Sequence, residues 1–514
     1  MFRKVLSKSA RVGTSSYSHC FKFSSQLMGR SVRGQTSLIS GKAAKMIGSP
    51  VKFQFSSGFE NETLMKKGVT AYQSGDLNHA VEAFQNGLAS SSNPEMAAAY
   101  YKELSICFIE NRNYEEAGKC CQEGIGMLEG SGIENKHLMS RLKANLGDIH
   151  SFQKDYDNAI QNWKEALIDL QGAREKDDIY VQGRIYFNLG LAHKNMRNLK
   201  EARVFLNDAV EIISEAKGEN HPNVARCLIQ VGSVELAVTQ NQSGQDHLKR
   251  ALAIFEYNFE ENYHESAMCH RMLSMSALQK NDTVDASIHL KNAIKVDTAN
   301  GKEMSLQCAS DYFNLGCAQS SKGEHADSIP NFESALRIFK ALKSGGQAPA
   351  NLDKNMAVCY HNLGAAYLFQ KNIETAQLYL EKAIPLMEAT HEPEDLSIAL
   401  CHNNLGAIYG EERRFKESID SYGKALTIFK KKVHESDIKV RNLYQKMGVA
   451  FMLNEEYKQA VQFCTVYVDL CTKYLGPASD EATKGTQLLN YMKQILANGG
   501  IPKEQHAHVH DPAG

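Results

Sequence analysis

The sequence predicts an all-α protein built from repeated helix pairs. Its 514 residues include only ten prolines and one tryptophan, and this composition favours long helices over turn-rich β-structure. Hydrophobic residues make up 43% and charged residues 23%, which are ordinary values for a globular protein. A collagen-like, wholly disordered or membrane-spanning chain is therefore excluded. Small residues recur at intervals of about 42 residues, which indicates a repeat array.

Each copy of the repeat starts from a small residue, which we term the anchor. An Ala or another small residue follows twelve positions later, and then come a large apolar residue and a second Ala. One copy reads Leu146-Gly147, Ala159, Trp163 and Ala166. We expect the anchor on the first helix of a pair, helix A, to meet the Ala on helix B where the two antiparallel helices approach most closely. The ten anchors are Gly68, Ser105, Gly147, Gly190, Gly232, Ser274, Gly316, Gly364, Gly406 and Gly448.

This pattern resembles the tetratricopeptide repeat. Six of the nine intervals between anchors are 42 residues, longer than the usual period of about 34. With Gly218 to Ala225 opening one repeat, the array is similar to that of kinesin light chains. The resemblance implies an all-α, right-handed superhelical solenoid of about ten antiparallel helix pairs. It also implies a concave groove, lined by the A helices, that binds extended segments of partner proteins.

The chain divides into four segments. Residues 1–59 are predicted to be a presequence that is disordered or cleaved, and residues 60–470 form the array. Residues 471–498 form a capping helix, because a stacked array must cover its last apolar face. The apolar residues that predict this helix are Leu488, Leu489, Met492, Ile495 and Leu496. Residues 499–514 are polar and are predicted to be a disordered tail.

The first 59 residues carry ten Lys or Arg, fifteen Ser or Thr and no acidic residue. This composition resembles a mitochondrial presequence, and the stretch from Lys52 to Ser57 resembles a plant-type cleavage region. We therefore expect a mitochondrial protein of the matrix. A chloroplast address, a cytosolic location and a merely disordered basic tail are the alternatives.

Residues 60–514 carry a net charge of −11, from 48 basic and 59 acidic residues, which argues against non-specific nucleic-acid binding.

No sequence motif argues for catalysis, a cofactor or a metal. The twelve cysteines contain no Cys-x-x-Cys pair and are scattered through helical segments, as is typical of buried thiols that pack as small apolar groups. No nucleophile elbow, phosphate loop or His-Glu-x-x-His motif is present. The sequence therefore predicts a protein that is not an enzyme.

Two rows of polar residues on helix A are candidates for the groove. Amides stand two residues before six anchors, at Asn145, Asn188, Gln230, Asn314, Asn362 and Asn404. In arrays of the type that this chain resembles, such amides grip the backbone of an extended peptide. Arginines stand six residues before three anchors, at Arg141, Arg184 and Arg226, and would favour an acidic peptide. We expect both rows to face water in the free protein. Bridging between helices is the alternative for the amides, and a solvated edge is the alternative for the arginines.

These observations predict a scaffold that binds peptide segments of protein partners in mitochondria. An assembly role for respiratory or iron–sulfur proteins follows only by analogy with other mitochondrial repeat proteins. The alternative is a cytosolic transport adaptor similar to kinesin light chain.

Overall fold

A computed structural model of the chain describes residues 59–238, 241–259, 263–346 and 351–499. Nearly all of the predicted presequence and of the predicted tail lies outside these residues. The described residues contain 21 α-helices and no strand. They fall into two compact units, and the boundary between Ser276 and Ala277 lies within helix α11, Ser266–Gln279.

The first unit holds the helices of repeats one to five and the start of repeat six. In chain order these helices are α1 Phe59–Ser74, α2 Leu77–Ser90, α3 Pro94–Glu110, α4 Tyr114–Ser131, α5 Lys136–Phe152, α6 Tyr156–Asp169, α7 Lys176–Asn195, α8 Leu199–Lys217, α9 Pro222–Ala237 and α10 Asn241–Asn258.

The second unit holds the rest of repeat six, repeats seven to ten and a final single helix. These helices are α12 Thr283–Ala299, α13 Leu306–Ser321, α14 His325–Ser344, α15 Leu352–Phe369, α16 Ile373–Thr390, α17 Leu396–Glu411, α18 Phe415–Lys432, α19 Ile438–Leu453, α20 Tyr457–Leu475 and α21 Asp480–Ala497.

Odd-numbered helices up to α19 are the A helices, and even-numbered helices are the B helices. Within each unit a B helix packs against its own A helix and against the A helix of the next repeat. A helices of successive repeats also touch, as α5 does with α7 and α15 with α17. The predicted all-α fold of consecutive helix pairs is confirmed.

The turn from helix A to helix B explains why the pairs are antiparallel and alike. In the nine repeats where the structure describes it, the residue seven positions after the anchor adopts a left-handed conformation, as Lys154 does with a φ of 66°. The next residue caps helix B, and the Asp155 side chain accepts a hydrogen bond from the backbone nitrogen of Asn158. Gly75 and Gly323 hold the left-handed position in repeats one and seven, where glycine adopts it without steric cost.

Helix α21 covers the end of the second unit. It packs on α20, and its Leu489, Met492 and Ile495 are buried in a cluster with Met452 and Cys464. Because these side chains would otherwise face water, α21 removes the exposed apolar face that the last repeat leaves.

Seven of the eight glycine anchors leave no room for a side chain, since an added Cβ would lie 3.0 Å or less from a neighbouring atom. A Cβ added to Gly190 would lie 2.5 Å from Leu206 Cγ and 3.2 Å from the Leu206 backbone nitrogen. A Cβ added to Gly147 would lie 2.4 Å from the ring of Trp163. At these glycine anchors the absence of a side chain therefore sets the distance between helices A and B.

We expect Gly190→Ala to destabilise the protein by about 1–3 kcal/mol, because the added methyl group overpacks the contact with Leu206. The matched control is Gly423→Ala in α18, where an added Cβ meets no atom within 4 Å. That change should stabilise the helix by about 0.5–1 kcal/mol. Hydrogen exchange should accelerate only near α7 and α8 in the Gly190 variant, since each repeat contacts only its neighbours. Equal effects of the two changes would contradict this account of the anchor.

Candidate functional site

The amides of the first unit bond across to the neighbouring A helix. Each hydrogen bond joins one repeat to the next. The three bonds run from Asn145 Nδ2 to Ser105 Oγ (2.9 Å), from Asn188 Nδ2 to Asp148 Oδ1 (2.8 Å) and from Lys194 Nζ to Gln230 Oε1 (2.8 Å). The amide row therefore ties together α3, α5, α7 and α9.

The amides of the second unit are also enclosed. Asn314 and Asn362 are 2% and 1% exposed, and Asn362 Nδ2 lies 3.9 Å from Cys317 Sγ in the preceding A helix. Asn404 is half-buried and accepts a hydrogen bond of 3.3 Å from Asn403 Nδ2.

The expectation that the amide row faces water is wrong for most of its members. Asn145, Gln230, Asn314 and Asn362 are buried, whereas Asn188 and Asn404 are half-buried. The physical reason is that the A helices of adjacent repeats touch, so a side chain two residues before the anchor points into the seam between them. This placement favours the bridging alternative for the buried amides. Peptide binding by the row stays a prediction.

The three arginines are paired with carboxylates of neighbouring repeats. Arg141 Nη1 lies 2.9 Å from Asp178 Oδ1, Arg184 Nη2 lies 3.8 Å from Asp148 Oδ2, and Arg226 Nε lies 2.9 Å from Glu265 Oε2. Arg226 also donates through Nη2 to Glu265 Oε1 at 3.1 Å, which makes this pair bidentate.

The arginine row therefore does not form an unpaired basic surface, because each positive charge faces a negative one. Arg184 departs furthest from the expectation of a water-facing row, since it is only 7% exposed. Its Nε atom has no hydrogen-bond partner. The proposed contact of this row with an acidic peptide stays a prediction, and such a peptide would have to compete with the resident carboxylates.

Asp148 is the centre of a buried polar cluster. It lies one residue after the anchor Gly147 and accepts hydrogen bonds from Trp163 Nε1 at 3.0 Å and from Asn188 Nδ2 at 2.8 Å. Burial raises the pKa of this carboxyl, while Arg184, Trp163 and Asn188 act in the opposite direction. Side chains of two repeats thus contact one buried carboxylate, and they offset the desolvation of its charged form.

Two lysines on A helices were missed by the sequence reasoning. Lys446 lies two residues before the anchor Gly448, so the register of the amide row was a signal that would have found it. Its Nζ donates to Asn403 Oδ1 at 3.0 Å. In the first unit, Lys194 Nζ donates to Gln230 and to Ser233 Oγ. Burial lowers the pKa of both amines to about 8, because it disfavours the charged form.

The cysteines of the described region are all free and buried. Burial raises their thiol pKa values, for example to about 12 for Cys121 and about 11 for Cys120, so these thiols are poorly ionised at neutral pH. Buried imidazole behaves in the complementary way, because desolvation lowers the pKa of His361 to about 4. Within the described ranges, no group of three His, Cys, Asp or Glu side chains is arranged to hold a metal ion.

None of the helices in the described part of the chain is both long and apolar enough to cross a lipid bilayer.

Paired helices with small anchors and touching A helices are the arrangement of tetratricopeptide repeats. The comparison with family models agrees, since residues 182–256 and 355–431 match the tetratricopeptide repeat. The recognition of these repeats from sequence is therefore confirmed.

Two plant proteins named after kinesin light chain are similar to this chain. Protein KINESIN LIGHT CHAIN-RELATED 3 of Arabidopsis thaliana is 20% identical over 65% of this chain and 51% of its own length. Protein KINESIN LIGHT CHAIN-RELATED 2 of the same species is 18% identical over 55% of this chain and 42% of its own length. The chain thus spans about half the length of the curated relatives it matches. The crystal structure of apo RapI is 16% identical, with a TM-score of 0.48 over 79% of this chain and 99% of that one.

We expect Asn188→Ala to destabilise the protein by about 1–3 kcal/mol, because the buried carboxylate of Asp148 loses a donor. The only tryptophan of the chain, Trp163, bonds the same carboxylate, so its fluorescence should change along with stability. Asn404→Ala is the matched control, since that amide is half-buried and bonds only its neighbour Asn403. Unchanged stability and emission in the Asn188 variant would refute the bridging role.

Proposed function

We propose that this chain is a non-catalytic scaffold that binds extended, acidic segments of partner proteins along its A helices. Tetratricopeptide repeats are protein-interaction modules, and the repeats of this chain supply the class of function. The chemistry of the segment is proposed from the charges on the A helices of the first unit.

The observation that carries the proposal is the environment of Lys194. Its ammonium group is held by two neutral acceptors, Gln230 Oε1 and Ser233 Oγ. The three arginines nearby in the sequence each have a carboxylate partner, whereas the structure records none for Lys194. Desolvation without a countercharge is unfavourable, and this is why the pKa falls to about 8. A carboxylate of a bound segment would supply the missing countercharge.

Backbone recognition is proposed to come from Asn188. A carboxamide can donate and accept at the same time. Asn188 uses its Nδ2 group to bond Asp148, and its half-buried position leaves the carbonyl oxygen as an acceptor for a peptide N–H group. It lies on α7, the helix that also carries Lys194.

We further propose that the protein works in mitochondria, in the matrix, and assists assembly of respiratory or iron–sulfur proteins. The support is the basic, acid-free composition of residues 1–59. The second candidate is a cytosolic transport adaptor. The similarity to two plant proteins named kinesin light chain-related favours it.

The binding proposal predicts that Lys194→Met weakens capture of acidic segments and reduces the salt dependence of binding, because one attractive charge is removed. Partners captured from matrix and cytosolic extracts would be mapped to a segment, which is then titrated against wild type and variants at two salt concentrations. Lys200→Met on α8 removes a similar charge from an exposed B-helix position and should leave affinity unchanged.

The same amine makes binding pH-dependent. With a pKa of about 8, Lys194 is charged below that pH and loses its proton above it, so wild-type affinity should fall between about pH 7 and pH 9. Lys194→Arg should abolish this fall, because arginine stays charged throughout the range. A pH profile shared by wild type and the arginine variant would remove Lys194 from the binding face.

The location is tested separately. A carboxy-terminal tag on the full chain should appear in mitochondria, and deletion of residues 1–59 should leave the tagged protein in the cytosol. Sequencing of the mature protein should give an amino terminus close to residue 59. A mature protein that begins at Met1 and stays in the cytosol would favour the transport adaptor.

A further inference from the structure

An imidazole nitrogen and two sulfur atoms come together inside the second unit, whereas the binding face proposed above belongs to the first unit. His361 Nδ1 lies 3.1 Å from Cys401 Sγ, and Cys401 Sγ lies 3.5 Å from Met387 Sδ. The residues come from three helices, α15, α16 and α17. All three side chains are buried in or beside the core of repeats eight and nine.

Cysteines at the position of Cys401 also occur in other repeats, and their neighbours show which side chains suffice for packing alone. Cys401 stands five residues before its anchor, and Cys227, Cys269 and Cys359 hold the same register position, all of them fully buried. In the repeats that precede those three cysteines, hydrocarbon side chains occupy the register positions that correspond to His361 and Met387. The corresponding pairs are Phe187 and Ile213, Ile229 and Phe255, and Phe313 and Phe339.

The neighbours of the other three cysteines show that packing does not require polar side chains at these positions. A cysteine with two hydrocarbon neighbours fills the space well, since all six of those hydrocarbon side chains are buried. Around Cys401 both neighbours are replaced together by side chains that carry a lone pair. Packing does not require an imidazole there, and a buried imidazole has a desolvation cost that hydrocarbon lacks.

We propose that His361, Met387 and Cys401 bind one Cu(I) ion in a three-coordinate site. Thiolate and thioether sulfur are soft ligands that suit Cu(I), and neutral imidazole is also a suitable copper ligand. On binding, the Cys401 thiol releases its proton to solvent, a copper–sulfur bond replaces the S–H bond, and the metal stays Cu(I).

Charge explains the choice of a monovalent ion. One thiolate and one Cu(I) ion give a neutral complex, which an apolar core accepts. A divalent ion such as Zn(II) would leave one uncompensated positive charge in this core. Zn(II) sites also generally have four ligands, and this cluster offers three.

The distances between the donor atoms are slightly shorter than they would be around a bound metal ion. A metal bonded at about 2.0 Å to nitrogen and about 2.3 Å to sulfur holds such donors slightly further apart than 3.1 Å and 3.5 Å. Binding therefore exchanges a Cys–His hydrogen bond and a sulfur–sulfur contact for metal bonds. Residues 361 and 401 lie 40 positions apart, and residues 387 and 401 lie 14 apart, so no local motif reveals the site.

The test is anaerobic titration of the reduced full chain with Cu(I) against a coloured Cu(I) chelator. Wild type should take one tightly bound equivalent that Cys401→Ser and Met387→Leu lose, with affinity at this site reduced by at least about 10-fold. Cys227→Ser is the matched control, because that cysteine has hydrocarbon neighbours, and it should keep the equivalent. Zn(II) should not compete for it. An unchanged number of tight equivalents in both ligand variants would overturn the proposal.

A second measurement starts from wild type and so does not depend on how the other variants fold. X-ray absorption of wild type loaded with one equivalent of Cu(I) should show one nitrogen and two sulfur neighbours. Met387→Leu conserves volume and should stay folded, and its copper should lose one sulfur neighbour. A first shell of thiolate sulfur alone would assign the metal to other cysteines and refute the site.

Discussion

The close approach of helices A and B at the anchor is the constraint on which the rest of the structure depends. Gly147 lacks a Cβ, and the ring of Trp163 occupies the space that a Cβ would take. The contact holds two helices at a short distance, and the next A helix then packs on the same B helix. Because the contact recurs in register, residues at equivalent positions arrive at equivalent places. Polar residues at the same position of successive repeats therefore form rows.

The polar rows fix the alignment of neighbouring A helices, which apolar packing alone defines less strictly. Leu and Ala side chains tolerate small shifts between neighbouring helices, whereas a buried hydrogen bond does not. A shift of one turn between α3 and α5 would take the Ser105 hydroxyl away from the buried amide nitrogen of Asn145, at a cost of about 1–3 kcal/mol. The ion pair between Arg141 and Asp178 acts in the same way between α5 and α7. Buried polar groups therefore specify which faces of successive A helices meet.

Sequence reasoning succeeded where a feature repeats and failed where it depends on a neighbour. The anchors predict the helix pairs because the contact of Gly190 with Leu206 lies within one repeat, at a constant spacing of 16 residues. The partners of the arginines were not predictable in this way. Arg184 reaches back to Asp148 in the preceding repeat, while Arg226 reaches forward to Glu265 in the following one. No single offset describes both pairs, so the sequence showed a row of positive charge and not its compensation.

A side chain that bridges two repeats can still contact a ligand only if the bridge leaves part of its hydrogen-bonding capacity unused. A buried hydroxyl such as that of Ser105 already accepts from Asn145 and donates to the Lys102 carbonyl. An amide is different, because donor and acceptor lie on separate atoms. Asn188 bridges through its nitrogen, and its oxygen remains an acceptor. We therefore expect recognition only from a half-buried bridge such as Asn188, because the fully enclosed amides are out of reach of a ligand.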